Sequence, residues 1–249
     1  PMPYPILTTG PLASVLLPTG ALTLHTIVGI GRNYAEHARE QGAAVPDAPM
    51  VFTKNPASVC GSESPIIIPR VCQVPGPNGG QVDFEGELAV VIGQSDRGAC
   101  RDVARERALE HVLGYCVGND VSARWWQKSG SGGQFFRGKS FDTFCPLGPF
   151  VTPAGEVGDA NNLRLVTRLN GVVMQDDSTA KMIFSVAHLI AELSQGMTLL
   201  PGTVILTGTP AGVGMARTPP VWLKDGDVIE VEIESLGVLR NAVRCEGER

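Results

Sequence analysis

A mainly β fold with a few helices, of the α+β class, is what this chain predicts, and three observations lead there. Thirty glycines and nineteen prolines cut the sequence into short segments bounded by turns. Helical periodicity is confined to a few stretches, whereas Val82 to Ile92 reads as a strand entering a core. With 249 residues and 43% hydrophobic content, the chain can bury a sizeable core. We divide it into an N-terminal strand or arm over 1–26 and a single domain over 27–249.

Residues 1–26 are rich in Pro and Leu and carry two Thr-Gly turns, which suggests a short leading strand or hairpin. Thr26 to Gly31 reads as a short buried strand. Asn33 is then placed to cap a helix from Tyr34 to about Gln41, closed by Gly42, and on it His37 and Glu40 share one face. Segments 50–54 and 65–69 read as strands flanking a Gly-Ser turn, and the loop Pro75 to Gly80 feeds the Val82 to Ile92 strand. Arg101 to Glu110 predicts a charged surface helix, and His111 to Val117 returns as an apolar strand ending in Gly118-Asn119-Asp120. Ser129 to Gly133 is a glycine-serine loop suited to a mobile flap. Ser185 to Gln195 is an amphipathic helix with Val186, Leu189, Ile190 and Leu193 on its apolar face and Gly196 at its end. Strands follow at Thr203 to Thr207 and Asp227 to Glu234, and no internal repeat is visible.

A formal net charge of −5 with scattered Lys and Arg argues against nucleic-acid binding, which needs a basic face, and favours small-molecule partners. The six cysteines form no C-x-x-C pair and read as reduced, mostly buried thiols of an intracellular protein. No apolar stretch reaches the ~18 residues of a membrane span, and the start lacks a signal-peptide pattern. The expectation is a soluble cytoplasmic protein, mitochondrial if a presequence has been removed.

The most informative segment is Val82-Asp83-Phe84-Glu85-Gly86-Glu87-Leu88. Side chains two apart on a strand share a face, so Asp83, Glu85 and Glu87 converge while Val82, Phe84 and Leu88 pack behind. Crowded carboxylates repel unless a positive charge neutralises them, and oxygen-only clusters suit hard ions such as Mg2+, Mn2+ or Ca2+. A solvated acidic face is the ordinary alternative, but Ala89 to Ile92 is apolar on both faces and points to a buried strand. Asp120, ending the next strand, completes a candidate ligand set of Glu85, Glu87 and Asp120, with Lys139 nearby in Gly138-Lys139-Ser140-Phe141-Asp142; taken singly, Asp120 reads first as an Asx turn or helix cap before Val121-Ser122-Ala123, and Lys139 as a solvated side chain.

Other chemistries fail on their motifs. Gly29-Ile30-Gly31 has Tyr34 where a dinucleotide loop needs its third glycine. Gly208 to Gly214 lacks the Gly-Lys-Ser/Thr of a phosphate loop and reads instead as a tight turn whose amides can bind an oxyanion. No serine sits in a G-x-S-x-G elbow, and Cys145, between Phe144 and Pro146, reads as a buried structural thiol.

Six ordered motifs give these residues a common context: Gly29-Ile30-Gly31-Arg32-Asn33-Tyr34-Ala35-Glu36-His37, Asp83 to Ala89, Gly118 to Arg124, Gly138 to Asp142, Met182 to Ser185, and Ile205 to Gly214. In that order the chain resembles the fumarylacetoacetate hydrolase family from Ile27 to Ile233. The resemblance implies a mixed β-roll, commonly dimeric, in which three carboxylates hold Mg2+ or Mn2+, with Ca2+ possible in a crystal. By the same resemblance residues 27–249 are a metal-dependent catalytic domain. Glu85, Glu87 and Asp120 are its metal ligands, His37 with Glu40 is a water-activating dyad on a lid helix, and Lys139 is a further catalytic residue. Arg32, Arg124, Gln127 and Thr209 would bind substrate. The implied activity is hydrolytic cleavage of a C–C bond in a 2,4-dioxo acid such as an acylpyruvate or fumarylpyruvate, releasing an enolate of pyruvate. Oxaloacetate decarboxylation, oxaloacetate keto–enol tautomerisation and an inactive metal-stabilised binding module are the alternatives. Trp125-Trp126 departs from the family pattern; the two indoles either reshape the pocket or clamp the 129–133 flap, or else fill core volume.

Overall fold

The computed structural model describes residues 2–74 and 80–247. Its main sheet runs, from edge to edge, through strands Gly20–Thr23, Ser14–Leu17, Tyr4–Leu7, Cys145–Pro153, Val112–Asn119, Gly86–Ile92, Thr203–Leu206, Thr26–Gly31 and Met50–Lys54. A two-residue strand, Val59–Cys60, pairs in parallel with Cys145–Pro153. A second sheet orders Val172–Ser178, Arg164–Leu169, Val228–Ile233, Gly237–Cys245 and Ile66–Ile68. This is the mainly β architecture with few helices that the composition and the motifs predict.

The Gly86–Ile92 strand is buried on both faces, as its apolar run requires. Leu88, Val90 and Ile92 join a core shared with Leu165, Val231 and Ile233 of the second sheet and with Val186, Leu189, Ile190 and Leu193 of the long helix. Ala89 and Val91 face the opposite core, with Val15, Leu147, Val151 and Val204. The helix Val186–Ser194 presents the apolar face expected of it and begins on Ser185, whose hydroxyl accepts the His188 N–H.

Several expectations need correction. The acidic strand is not continuous: Val82–Asp83 pairs with Ser122–Ala123, the chain breaks at Phe84-Glu85, and pairing resumes at Gly86. Asp83 lies outside the cluster of Glu85, Glu87 and Asp120, its carboxylate taking up Arg124 and the Gly214 and Met215 N–H groups, so the predicted convergence of Asp83, Glu85 and Glu87 does not occur. Asn33 caps nothing; it is buried, donates to the Phe184 and Thr207 carbonyls and accepts the Phe184 N–H. The helix it precedes is Ala35–Glu40, with Tyr34 at its start. The charged segment 101–110 forms a short 3-10 helix, Arg105–His111, in which Ala108 and His111 are buried. The loop expected over Pro75 to Gly80 lies outside the described residues except for Gly80.

The hairpin Arg164–Leu169 and Val172–Ser178 is absent from the expectations, yet Asn170-Gly171 between its strands, with φ of 51° and 79°, is a strong two-residue turn signal. The Cys145–Pro153 strand also escaped notice because Pro146, Gly148, Pro149 and Pro153 punctuate it like a loop.

Candidate active site

Sheet pairing assembles the acidic cluster. Gly86 pairs with Asn119 and Glu87 with Gly118, which leaves Asp120 just beyond the strand end. Asp120 N–H donates to the Glu85 carbonyl at 2.8 Å, and the Asn119 side chain accepts the Glu85 N–H at 3.0 Å. Glu85, Glu87 and Asp120 thus each offer a carboxylate oxygen within 4.8 Å of the others, and all three are buried.

Around them stand buried cations. Lys139 Nζ donates to Glu85 Oε2 at 2.7 Å and to Asp120 Oδ2, Lys54 Nζ donates to Asp120 Oδ1, and Arg124 Nη1 lies 2.7 Å from Glu85 Oε1. Burial alone would raise the Glu85 carboxyl, but Lys139 and Arg124 hold it well below the usual range. Glu87 has no such partner among the described residues and accepts only the Gly208 N–H, at 2.7 Å. Burial, then Asp120 and Glu85, push its carboxyl well above the ordinary value. An all-oxygen set with one carboxylate lacking a counter-ion fits a hard divalent cation. Burial disfavours the Lys139 ammonium, yet Asp120 and Glu85 outweigh it and raise its pKa. Those two carboxylates thus favour the charged form of Lys139.

Opposite the acidic cluster, the six-residue helix brings His37 and Glu40 together: His37 Nδ1 donates to Glu40 Oε1 at 2.7 Å. Gln41 Nε2 lies 2.8 Å from His37 Nε2, the ring nitrogen that accepts in the tautomer whose Nδ1–H faces Glu40. Glu40 Oε2 in turn accepts the Gly212 N–H at 2.9 Å, fastening this helix to the glycine-rich loop. Gly212 has φ +106°, and a Cβ there would meet the Met174 carbonyl at 2.2 Å, so the latch requires glycine.

A cavity of about 480 Å3 joins the two halves. It is lined by His37, Glu85, Glu87, Arg124, Gln127, Lys139, Thr209 and Arg32, which brings together every predicted site residue except the latched Glu40 and the deeper Asp120. Arg124 donates to Asp83 Oδ2 through Nε and Nη2, at 2.9 and 2.7 Å, and to Gln127 Oε1 at 3.0 Å. Asp83 thus orients an arginine, and Gln127 keeps its NH2 as the end able to donate to a ligand. The Thr209 hydroxyl donates to the Gly86 carbonyl and accepts from Gln175 Nε2, so its proton is committed within the protein.

Two buried residues of this site escaped the sequence reading. Lys54 follows Met50 and Phe52 at period 2, and the pocket-lining Phe52 gives the phase that would have pointed it inward. Gln175, which also accepts the Gly86 N–H at 3.0 Å, sits in a strand that the Asn170-Gly171 turn announces, but nothing around the residue itself marks it as facing the site. The tryptophans divide between the two expected roles. Trp125 packs against Gly130 of the flap, where a Cβ would lie 2.5 Å from its ring, and Trp126 joins Phe141 and Phe144 with Arg137 4.6 Å over its face.

Comparison with known proteins accords with this geometry. The model of the fumarylacetoacetate (FAA) hydrolase C-terminal family matches residues 26–244. The chain is 47% identical over 217 residues to oxaloacetate tautomerase FAHD2A, mitochondrial, of Bos taurus, covering 87% of this chain and 66% of that relative. It therefore spans just under two thirds of that relative's length. Among solved structures, 5-carboxymethyl-2-hydroxymuconate delta-isomerase from Mycobacterium smegmatis superposes with a TM-score of 0.77 at 36% identity, covering 98% of this chain and 94% of that one. The fumarylpyruvate hydrolase from Pseudomonas aeruginosa in complex with Mn2+ and pyruvate superposes with a TM-score of 0.80 at 29% identity, covering 96% and 99%.

Proposed function

This chain belongs to the fumarylacetoacetate hydrolase family, and from that footing we propose that it is a metal-dependent enzyme interconverting the keto and enol forms of oxaloacetate. The observation that carries the reading is one cavity lined both by the His37 imidazole and by Glu85 and Glu87 of the three-carboxylate cluster, with Asp120 behind them. The activity named for the 47%-identical relative supports the choice among enolisations.

Glu85, Glu87 and Asp120 would hold the divalent cation, Mg2+ or Mn2+. When bound, it supplies a Lewis acid that stabilises negative charge developing on the oxo oxygen. His37 Nε2 takes the proton from C3 of the keto acid once the Gln41 amide yields its bond, and the C3 electron pair moves onto the oxo carbon as the C=O π pair withdraws to oxygen. Glu40 holds the ring with Nδ1–H inward and balances the imidazolium. The same imidazolium returns its proton to the oxo oxygen, completing the enol. Lys139 contributes a fixed charge beside that oxygen, while Arg124 and Gln127 orient the acid.

Hydrolysis of a 2,4-dioxo acid is the second reading, favoured by the fumarylpyruvate hydrolase likeness and by a dyad able to deprotonate water. Both are tested by following the enol absorbance of oxaloacetate and pyruvate release from acetylpyruvate and fumarylpyruvate, with Mg2+ and with chelator. Metal-dependent relaxation of oxaloacetate without pyruvate release is expected. Pyruvate from a dioxo acid alone would move the assignment to hydrolase.

A further inference from the structure

The charges lining the cavity do not balance at its mouth. At the inner end each cation has an acidic partner: Lys139 has Glu85 and Asp120, Lys54 has Asp120, and Arg124 has Asp83 and Glu85. Arg32 and Lys128 line the same cavity, yet no carboxylate among the described residues pairs with either. The Nε of Arg32 is buried and lacks any hydrogen-bond partner. A desolvated guanidinium N–H without an acceptor is costly unless a ligand supplies one.

The backbone holds both residues in place. Arg32 has φ +56°, a left-handed conformation seldom adopted by a residue with a side chain, directly after the Thr26–Gly31 strand. Lys128 ends the turn that carries Arg124 and Gln127: its N–H donates to the Arg124 carbonyl at 3.1 Å, and its carbonyl accepts the Gly133 N–H at 2.7 Å. Burial, Arg124 and Arg32 all press the Lys128 ammonium below its ordinary pKa, so the cations feel one another across the opening.

We propose that Arg32 and Lys128 form an anion subsite at the mouth of the cavity that takes the second carboxylate of a dicarboxylic oxo acid, with Lys128 setting the preference over monocarboxylic analogues. A ligand anchored by its 2-oxo acid end at the carboxylate cluster projects its far end toward this mouth. A carboxylate there supplies the acceptor that Arg32 lacks and the counter-charge that Lys128 lacks. The assignment rests on the oxo-acid reading of the site and narrows it to substrates with two acid groups.

Binding of two unreactive 2-hydroxy acids tests it: malate, which keeps the distal carboxylate, and 2-hydroxybutyrate, which has a methyl group instead. Calorimetric titration of the Mn2+-loaded protein should show malate binding at least tenfold tighter. Lys128→Met should erase most of that preference by weakening malate alone. Lys128 is exposed, so this variant keeps the fold, and Lys128→Arg should restore the preference. Equal affinities in the wild-type protein, or a preference that survives Lys128→Met, would overturn the subsite. A preserved preference without turnover of oxaloacetate overturns the tautomerase reading alone.

Discussion

Glu87 is the residue on which the chemistry of the acidic cluster turns, because its neighbours Glu85 and Asp120 have already paired with lysine and arginine. Its carboxyl is raised by burial and by those two carboxylates, so the folded, cation-free protein binds this proton more tightly than the unfolded chain does. That contribution to stability is full at low pH and is lost as pH rises through the raised value. Glu85 runs the other way: its contribution is present above the ordinary value of 4.5 and is lost as pH falls toward the depressed one. Wherever the Glu87 carboxyl carries its proton, a divalent cation displaces it on binding, so affinity for Mg2+ or Mn2+ should tighten with rising pH, by up to about tenfold per pH unit. Calorimetric titrations at a series of pH values check this, and a flat affinity would show that Glu87 is ionised before the metal arrives. His37→Ala should lower kcat for oxaloacetate enolisation by about 10²–10⁴-fold. The same variant should leave Mn2+ affinity within about twofold, since the imidazole supplies proton transfer and no ligand atom. At this scale the sequence was most legible where acidic residues crowd a short segment beside an apolar run, as Glu85 and Glu87 do. It was least legible where one polar side chain reaches in from a distant element, as Gln175 does.

Between elements, the glycine-rich loop after the Thr203–Leu206 strand does the joining. Gly208 N–H binds Glu87, Gly212 N–H binds Glu40, and Gly214 and Met215 N–H groups bind Asp83. The sequence reading placed oxyanion-binding amides in this loop; within the protein they hold the chain's own carboxylates. Gly212→Ala should cost roughly 1–3 kcal/mol through its left-handed backbone. It should also unfasten Glu40, so that kcat falls further than the thermal midpoint implies. Enolisation rates measured well below the melting temperature, beside a thermal scan, separate the two losses. The strand break at Phe84-Glu85 was illegible because alternation carries straight through it. Val82–Asp83 pairs with Ser122–Ala123, some forty positions on, and no local pattern announces that partner.

For the whole molecule, binding of a cation should register as stability. An ion held only by the folded chain adds about 2.7 kcal/mol at a hundredfold excess over Kd. For a chain of this size that raises the melting temperature by roughly 5–10 °C, and a chelator should reverse it in a thermal scan. The cysteines give an independent measure of global opening. Cys60, Cys72, Cys116 and Cys145 are buried, and burial pushes each thiol up to about 12. A thiol reagent at neutral pH should therefore leave these four untouched until denaturant unfolds the protein. Main-chain amides grip the carboxylates of Asp83 and Glu87, and lysines grip those of Glu85 and Asp120. A cradle held in this way should keep its shape when its cation is removed, so a single preparation should accept magnesium, manganese, cobalt or calcium in turn. Rate differences across that series then rank the acidity and size of the ions themselves, with refolding removed as a variable.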